Sequence, residues 1–171
     1  MEPQRIGEVL VRSGVLNQQQ VRQLLQYQQK TIRPLGWLAE RHFGIDPTVI
    51  EDAWAQQYAG FTRAIDPEFE IYADDAAQLV TRRQAWQFCV LPIRFDGGEL
   101  LVATTQHHLR RALGFATNVI CVPVFFVLAL PLDLGRALCK RYPLPGLTPE
   151  SVEDDEALSE LLEQAKRDRA A

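Results

Sequence analysis

A pattern of arginine, glycine, glutamine and apolar residues occurs twice near the N-terminus, and we expect the function of the chain to depend on it. Shifting the chain by 29 residues aligns five pairs of like residues: Ile6 with Leu35, Gly7 with Gly36, Val21 with Ile50, Leu25 with Trp54 and Gln28 with Gln57. Equivalences that share one offset indicate a duplicated unit. The first copy opens with Arg5, and a small anionic ligand would need only a few well-placed arginines, because a guanidinium group donates parallel hydrogen bonds to an anion.

The remaining polar residues do not suggest a catalytic or metal-binding set. His107 and His108 are adjacent, so on a helix they would point in different directions and would not share a metal ion. The acidic pairs and runs at Asp74-Asp75 and at residues 153–156 are typical of a helix cap and a solvated tail. A Gly-x4-Gly-Lys-Ser/Thr phosphate loop is missing from the sequence. We therefore expect a protein that is not an enzyme and that holds no metal or cofactor.

Size and charge point to a small soluble protein without a nucleic-acid surface. A chain of 171 residues with 47% apolar residues can form one domain, or two small ones that share a core. From Glu150 onward eight acidic residues face three basic ones, a net charge of −5, which leaves about +1 on residues 1–149. The body is thus nearly neutral and has no basic stripe for duplex nucleic acid.

The sequence favours a cytoplasmic location. Residues 1–4 lack the positive region and apolar run of a secretory signal. The longest apolar stretch, residues 119–132, is too short to span a bilayer and contains two prolines, so we expect no direct membrane insertion. Cys89, Cys121 and Cys139 lack Cys-x-x-Cys spacing, which favours buried thiols in a reducing compartment over disulfides or zinc.

Four helices in two related hairpins must position the duplicated pattern. Gly14 ends a short first helix, and Asn17 opens a second as the first residue of a capping box. Pro34 suits the first turn of a third helix, which Gly44 ends. Asp46-Pro47 is a strong start signal for a fourth. We therefore assign residues 1–60 to a helical subdomain.

The rest of the chain predicts an α+β subdomain over residues 61–146 and an acidic tail over residues 147–171. A hairpin turn is indicated at Asp96-Gly97-Gly98. The tail carries Leu158, Leu161 and Leu162 on one helical face, which predicts a solvated or frayed helix, with a partner-docking helix as the alternative. The order of elements predicts a small sandwich with helices covering the sheet. The helices are expected over residues 76–88, 109–116 and 132–142, and the strands over residues 89–95, 99–104 and 119–129.

The first copy of the pattern resembles the motif of the MshEN domain, the N-terminal domain of type II secretion and type IV pilus assembly ATPases. The residues that carry the resemblance are Arg5, Ile6, Gly7, Leu10, Gly14, Val21, Leu25 and Gln28. The gap from Gln29 to Arg33 matches the family's spacer, and Leu91-Pro92-Ile93 with residues 96–103 resembles the hairpin of its α/β half. The resemblance covers residues 5 to about 142. Because the ATPase engine is absent from the sequence, we expect a stand-alone domain.

What the resemblance implies is a site for the second messenger cyclic di-GMP, which presents two phosphates and two guanine edges. Two motif copies would supply two similar half-sites. Arginine can bind guanine or phosphate, glycine permits close backbone approach, apolar side chains cover sugars and bases, and glutamine can bind polar edges. The residues expected to bind are Arg5, Ile6, Gly7, Leu10, Gly14, Val21, Leu25, Gln28, Arg33, Leu35, Gly36, Ile50, Trp54 and Gln57.

The second copy departs from the motif. Pro34 replaces its arginine, with Arg33 one residue early, while Ala39 stands at the position of Leu10 and Phe43 at that of Gly14. Two hypotheses follow. In the first, the chain is a non-catalytic signalling domain that binds cyclic di-GMP. In the alternative, it is a protein–protein adaptor that no longer binds nucleotide, and its partner is a secretion or pilus assembly component or an ATPase.

Overall fold

The computed structural model describes residues 4–167 and divides into two units, with the boundary between Phe61 and Thr62. The first unit is helical, and the second contains a small sheet with helices. The α+β class expected from the sequence is confirmed. Among the described residues, no helix combines the length and the apolar character that crossing a bilayer requires.

The first unit consists of two helical hairpins. Its helices are α1 Ile6–Arg12, α2 Gln18–Gln28, α3 Leu35–Phe43 and α4 Pro47–Ala59. The predicted capping residues Asn17 and Asp46 are 29 positions apart, and their side chains accept hydrogen bonds from the backbone N–H groups of Gln20 and Thr48. Both caps therefore start the second helix of their hairpin in the same way, as the duplicated sequence predicts.

Glycine at equivalent positions allows the two helices of each hairpin to cross closely. A Cβ atom added to Gly7 would lie 2.9 Å from Cγ1 of Val21, and one added to Gly36 would lie 2.5 Å from Cγ2 of Ile50. These two contacts join the same pair of repeat positions. The two hairpins therefore pack their helices in the same way, and this close packing explains why glycine occurs in both copies.

A left-handed glycine follows or ends the first helix of each hairpin. Gly14 has φ +74° and Gly44 has φ +63°, values that favour glycine. In the second copy, Phe43 extends α3 up to the glycine that lies one place late. The stop signal is therefore kept although the residue equivalent to Gly14 is changed.

The second unit is built on a three-stranded mixed sheet. Its strands are β1 Leu91–Asp96, β2 Glu99–Thr104 and β3 Val124–Leu128, in the order β1-β2-β3. The β1–β2 pair is antiparallel, joined by the two-residue turn Gly97-Gly98, and β2–β3 is parallel. The predicted hairpin is confirmed.

The helices of the second unit differ from the prediction at two places. Its described helices are α5 Asp74–Ala77, α6 Arg82–Gln87, α7 Leu109–Phe115, α8 Pro131–Arg141 and α9 Asp155–Arg167, with 3₁₀ turns at Pro67–Phe69 and Pro149–Glu153. One helix over residues 76–88 was wrong, because Thr81 caps α6 with a hydrogen bond from the Gln84 backbone and interrupts the run. The strand expected from residue 119 begins only at Val124, because Ala116–Ile120 continue α7 as a π-helical turn.

The acidic tail is not a solvated helix along its whole surface. Val152, Leu158 and Leu162 are 1%, 1% and 5% exposed, so these side chains belong to the core of the second unit. Helix α9 contacts α6, and Arg83 pairs with Glu163 at 3.2 Å. The expectation of a solvated or frayed tail is therefore wrong for this face. The side chain of Leu161 and residues 168–171 lie outside the described part of the chain.

Asp155, the first residue of α9, accepts hydrogen bonds from both adjacent histidines. Nε2 of His107 lies 2.9 Å from Oδ2, Nε2 of His108 lies 3.0 Å from Oδ1, and Arg111 pairs with Oδ1 at 2.5 Å. The expectation that the histidines diverge was wrong, because they lie in the turn before α7 and not within a helix. The cluster fixes the start of α9.

Burial and hydrogen bonding act in opposite directions on this cluster. Burial lowers the pKa of His108 from its ordinary value, while its hydrogen bond to Asp155 acts to raise it. Burial raises the pKa of Asp155, but the hydrogen bonds from His107, His108 and Arg111 outweigh it and hold that pKa well below its usual range.

Of the three cysteines, all unpaired, Cys89 is buried but Cys121 is exposed, contrary to the expectation of buried thiols.

Candidate functional site

A cleft of about 850 Å³ opens on the first unit. It lies along α1 and α2 and is bordered by the start of α3 and the last part of α4. Its volume falls in the range typical of small-molecule sites. The lining residues are Arg5, Ile6, Gly7, Glu8, Val11, Arg12, Gln18, Val21, Arg22, Leu25, Gln28, Pro34, Leu35 and Gln57.

The charge of this cleft is positive. Three arginines line it, Arg5, Arg12 and Arg22, against the single carboxylate of Glu8. The Glu8 side chain accepts a hydrogen bond from the backbone N–H of Arg5 at 3.1 Å. Within residues 4–167, none of the three guanidinium groups forms a salt bridge. They remain available to an anion.

The rest of the cleft combines an apolar surface with amide groups. Leu25 is 44% exposed and forms part of the apolar wall with Val21. The equivalent glutamines Gln28 and Gln57 both reach the cleft. Nε2 of Gln28 donates to the carbonyl oxygen of Arg33 at 3.1 Å, which holds its amide in place. Such a site suits a ligand with flat apolar faces, polar edges and negative charge.

The structure gathers part of the residues predicted from the repeat into this cleft. Eight of them line it: Arg5, Ile6, Gly7, Val21, Leu25, Gln28, Leu35 and Gln57. Seven of these eight stand at positions that are equivalent between the hairpins, and the eighth, Arg5, begins the first copy. The lining thus includes Arg5, Gly7 and Gln28 of the first copy.

The other predicted residues lie outside the cleft lining, and five of them have a structural place in the first unit. Leu10 is fully buried in the core, Gly14 ends the first helix, and Gly36 and Ile50 form the close helix crossing. The ring of Trp54 lies beside that of Tyr58 on α4, with centroids 5.4 Å apart.

Arg33 is the residue that could have replaced the missing arginine of the second copy. Its guanidinium carbon lies 5.0 Å from the ring centroid of Trp37, a cation–π contact. Pro34 lines the cleft, and Arg33 does not. At this position the second copy therefore contributes a side chain that cannot donate a hydrogen bond.

Sequence reasoning missed six lining residues, namely Glu8, Val11, Arg12, Gln18, Arg22 and Pro34. A signal for them exists in helical spacing. Gln18, Val21, Arg22 and Leu25 follow each other at intervals of three, one and three residues, which places them on one face of α2. Projecting each helix outward from its motif residues would have found them.

Comparison with known proteins assigns the family. Residues 62–148, just over half of the chain, match the model of the MshEN domain, and the chain belongs to this family. The matched residues lie in the second unit, and the cleft lies in the first. The family expected from the motif is confirmed.

One curated protein and one solved structure are similar to most of the chain. The type IV pilus assembly ATPase PilB of Thermus thermophilus is 28% identical across 95% of this chain. The chain spans only 18% of the length of that ATPase. A solved structure of MshE with cdg is 24% identical, covering 81% of this chain and 99% of the other, with a TM-score of 0.45.

Proposed function

We propose that this protein is a non-catalytic bacterial signalling domain that binds cyclic di-GMP in the cleft of its first unit. One observation carries the proposal. The cleft brings Arg5, Gly7, Val21, Leu25 and Gln28 of the first motif onto one surface together with Gln57 of the second. Membership of the MshEN family supports the same ligand. The first repeat resembles the motif of that family, and this resemblance implies cyclic di-GMP as the ligand.

The chemistry of the cleft fits the ligand class. Arginine can donate two hydrogen bonds to phosphate oxygens or to O6 and N7 of guanine. The apolar wall formed by Val21 and Leu25 can cover a base or a sugar, and the glutamine amides can both donate and accept at a guanine edge. The excess of arginines over the one glutamate favours an anion.

We propose that the bound ligand acts on a type IV pilus or secretion assembly. The similarity to a type IV pilus assembly ATPase supports an ATPase or another pilus or secretion component as partner. A cytoplasmic location is supported by the absence of any disulfide among the three cysteines, because such free thiols are typical of reducing compartments.

Isothermal titration calorimetry with the whole chain and cyclic di-GMP tests the proposal. The wild-type protein should bind, and Arg5→Ala should bind at least about tenfold more weakly, since a hydrogen bond to a charged group contributes about 1.5–3 kcal/mol. Arg33→Ala, a matched loss of charge beside the cleft, should bind like the wild type. The absence of heat from the wild-type protein at tens of micromolar ligand would contradict the proposal.

The adaptor hypothesis is favoured by a different observation. Trp54, Tyr58 and Phe61 form a continuous aromatic row, with successive ring centroids 5.4 Å and 5.3 Å apart, and Phe61 is 55% exposed. Exposed aromatic rows are common where proteins bind each other. If the wild-type protein gives no heat with the dinucleotide but retains a pilus ATPase on an affinity column, and Phe61→Ser abolishes the retention, this second function is supported.

A further inference from the structure

The proposed cleft lacks the arginine that a second half-site would need. Pro34 occupies that position and has neither a side-chain donor nor a backbone N–H. The neighbouring Arg33 packs its guanidinium group on Trp37. A dinucleotide with two phosphates must find its second cation elsewhere.

Two arginines outside the repeated motif lie in the same cleft. Arg12 follows Glu8 by one helical turn on α1, and Arg22 lies next to Val21 on the lining face of α2. Both side chains are exposed, and within the described chain neither forms an ion pair. Each can therefore bind an anion without breaking an existing salt bridge.

The second copy keeps the arginine equivalent to Arg12 but not the one equivalent to Arg22, and neither equivalent residue contributes to the cleft. At the equivalent positions of the second copy stand Arg41 and Glu51, and neither lines the cleft. The charged residues of the cleft thus all come from the first copy, and the second copy contributes only Pro34, Leu35 and Gln57. The cleft is electrostatically one-sided.

We infer that Arg12 and Arg22, together with Arg5, bind the phosphates of the ligand and replace the cation that the second repeat lacks. The inference rests on the proposed binding of cyclic di-GMP. It assigns both phosphates to the side of the cleft formed by α1 and α2. The uncharged side formed by Pro34, Leu35 and Gln57 then contacts a base.

Calorimetry with cyclic di-GMP on the whole chain tests the assignment. Arg12→Ala and Arg22→Ala should each weaken binding at least about tenfold, because each loses hydrogen bonds to a charged group. Arg41→Ala is the matched control: it removes the same charge at the repeat equivalent of Arg12, outside the cleft. Its affinity should equal that of the wild type.

The possible failures are distinguishable. If the wild-type protein does not bind, the proposed function fails and the inference with it. If the wild type binds and Arg5→Ala weakens binding, but Arg12→Ala and Arg22→Ala both behave like Arg41→Ala, the proposed function stands and this inference is overturned. Circular dichroism of each variant should match the wild type, since the substituted side chains are exposed.

Discussion

The two hairpins of the first unit share their internal packing and differ in their surface chemistry. Both cross at a glycine, Gly7 against Val21 and Gly36 against Ile50, and both start their second helix with a side-chain cap. Yet eleven of the fourteen residues that line the cleft, including every charged one, come from the first hairpin. A duplicated fold therefore does not imply a duplicated site, because core and surface positions are free to change separately.

The largest effect is expected from a charge placed on the apolar wall of the first hairpin. Leu25 is 44% exposed while its neighbour Leu24 is fully buried, so Leu25→Asp should leave the protein folded. The new carboxylate would repel an anionic ligand, and covering it with ligand would cost the free energy of removing its water. We therefore expect the affinity measured by calorimetry to fall at least about a hundredfold. Gln26→Asp adds the same charge on the same helix outside the cleft. If both variants bind equally, the apolar wall has no part in binding.

The shared packing can be broken in each hairpin separately. Gly36→Ala should lower the free energy of unfolding by about 1–3 kcal/mol, the usual effect of overpacking, because its Cβ would lie 2.5 Å from Ile50. Gly7→Ala should cost less, since the corresponding distance is 2.9 Å. Urea unfolding measures both.

Gly114→Ala is the control for these glycine variants. This glycine lies within α7, and an added Cβ would meet nothing within 4 Å. The protein should be unchanged or slightly more stable, because alanine favours the helix over glycine. Stabilities of Gly36→Ala and Gly7→Ala that match the wild type would show that the crossing does not require glycine.

These contrasts also show what the sequence could predict. The repeat, its caps and its glycine stops are local signals, and the four helices and the β1–β2 hairpin followed from them. The burial of Leu158 and Leu162 could not be predicted, because it depends on a tertiary contact with a helix distant in sequence. For the same reason, local spacing could not bring His107 and His108 to Asp155.

In the candidate site the limits were of another kind. Comparison with the motif located Arg5, Gln28 and Gln57 but not Arg12 or Arg22, because these two arginines are not motif positions. Arg12 has an identical repeat equivalent, Arg41, but only Arg12 lines the cleft, so repetition alone does not mark it as a site residue. The alternative position of Arg33 on Trp37 depends on side-chain packing that the order of residues does not encode.

The second unit has a pH dependence that must be kept apart from effects on the hairpins. Burial lowers the pKa of His108 from its ordinary value of 6.5, so the unfolded chain binds a proton first and stability falls as pH drops below about 6.5. The pKa of Asp155 is lowered below 3.8, so its contribution is present above that pH and is lost as pH falls through the lower folded value. Urea unfolding at a series of pH values should show both losses.

Asp155→Asn tests this account. It should lower the free energy of unfolding at neutral pH by about 1–2 kcal/mol, a range reduced for partial exposure, because hydrogen bonds to the carboxylate are lost. The loss near pH 6.5 should remain, since the hydrogen bond to Asp155 only opposes the effect of burial on His108. Glu160→Gln removes an exposed charge from the same helix and should leave stability unchanged. Equal stabilities of the two variants would contradict a role for the cluster in fixing α9.

The smallest effect is expected at the cation that packs outside the cleft. Arg33→Ala removes the contact with Trp37 and should change the affinity for cyclic di-GMP by less than about twofold. Its effect on stability should also be small, because cation–π contacts at exposed sites contribute only about 0.5–1 kcal/mol. A large loss of affinity would mean that Arg33 leaves Trp37 to bind ligand, and the two hairpins would then be chemically more alike than their structure indicates.

A titration of the ¹⁵N-labelled whole chain with cyclic di-GMP, followed by amide chemical shifts, tests the central comparison most directly. We expect the largest shifts along the cleft face of α1 and α2, at Arg12 and Arg22 among others, with smaller shifts at Leu35 and Gln57. Shifts of equal size around Arg33 and Arg41, or shifts confined to the second unit, would contradict it.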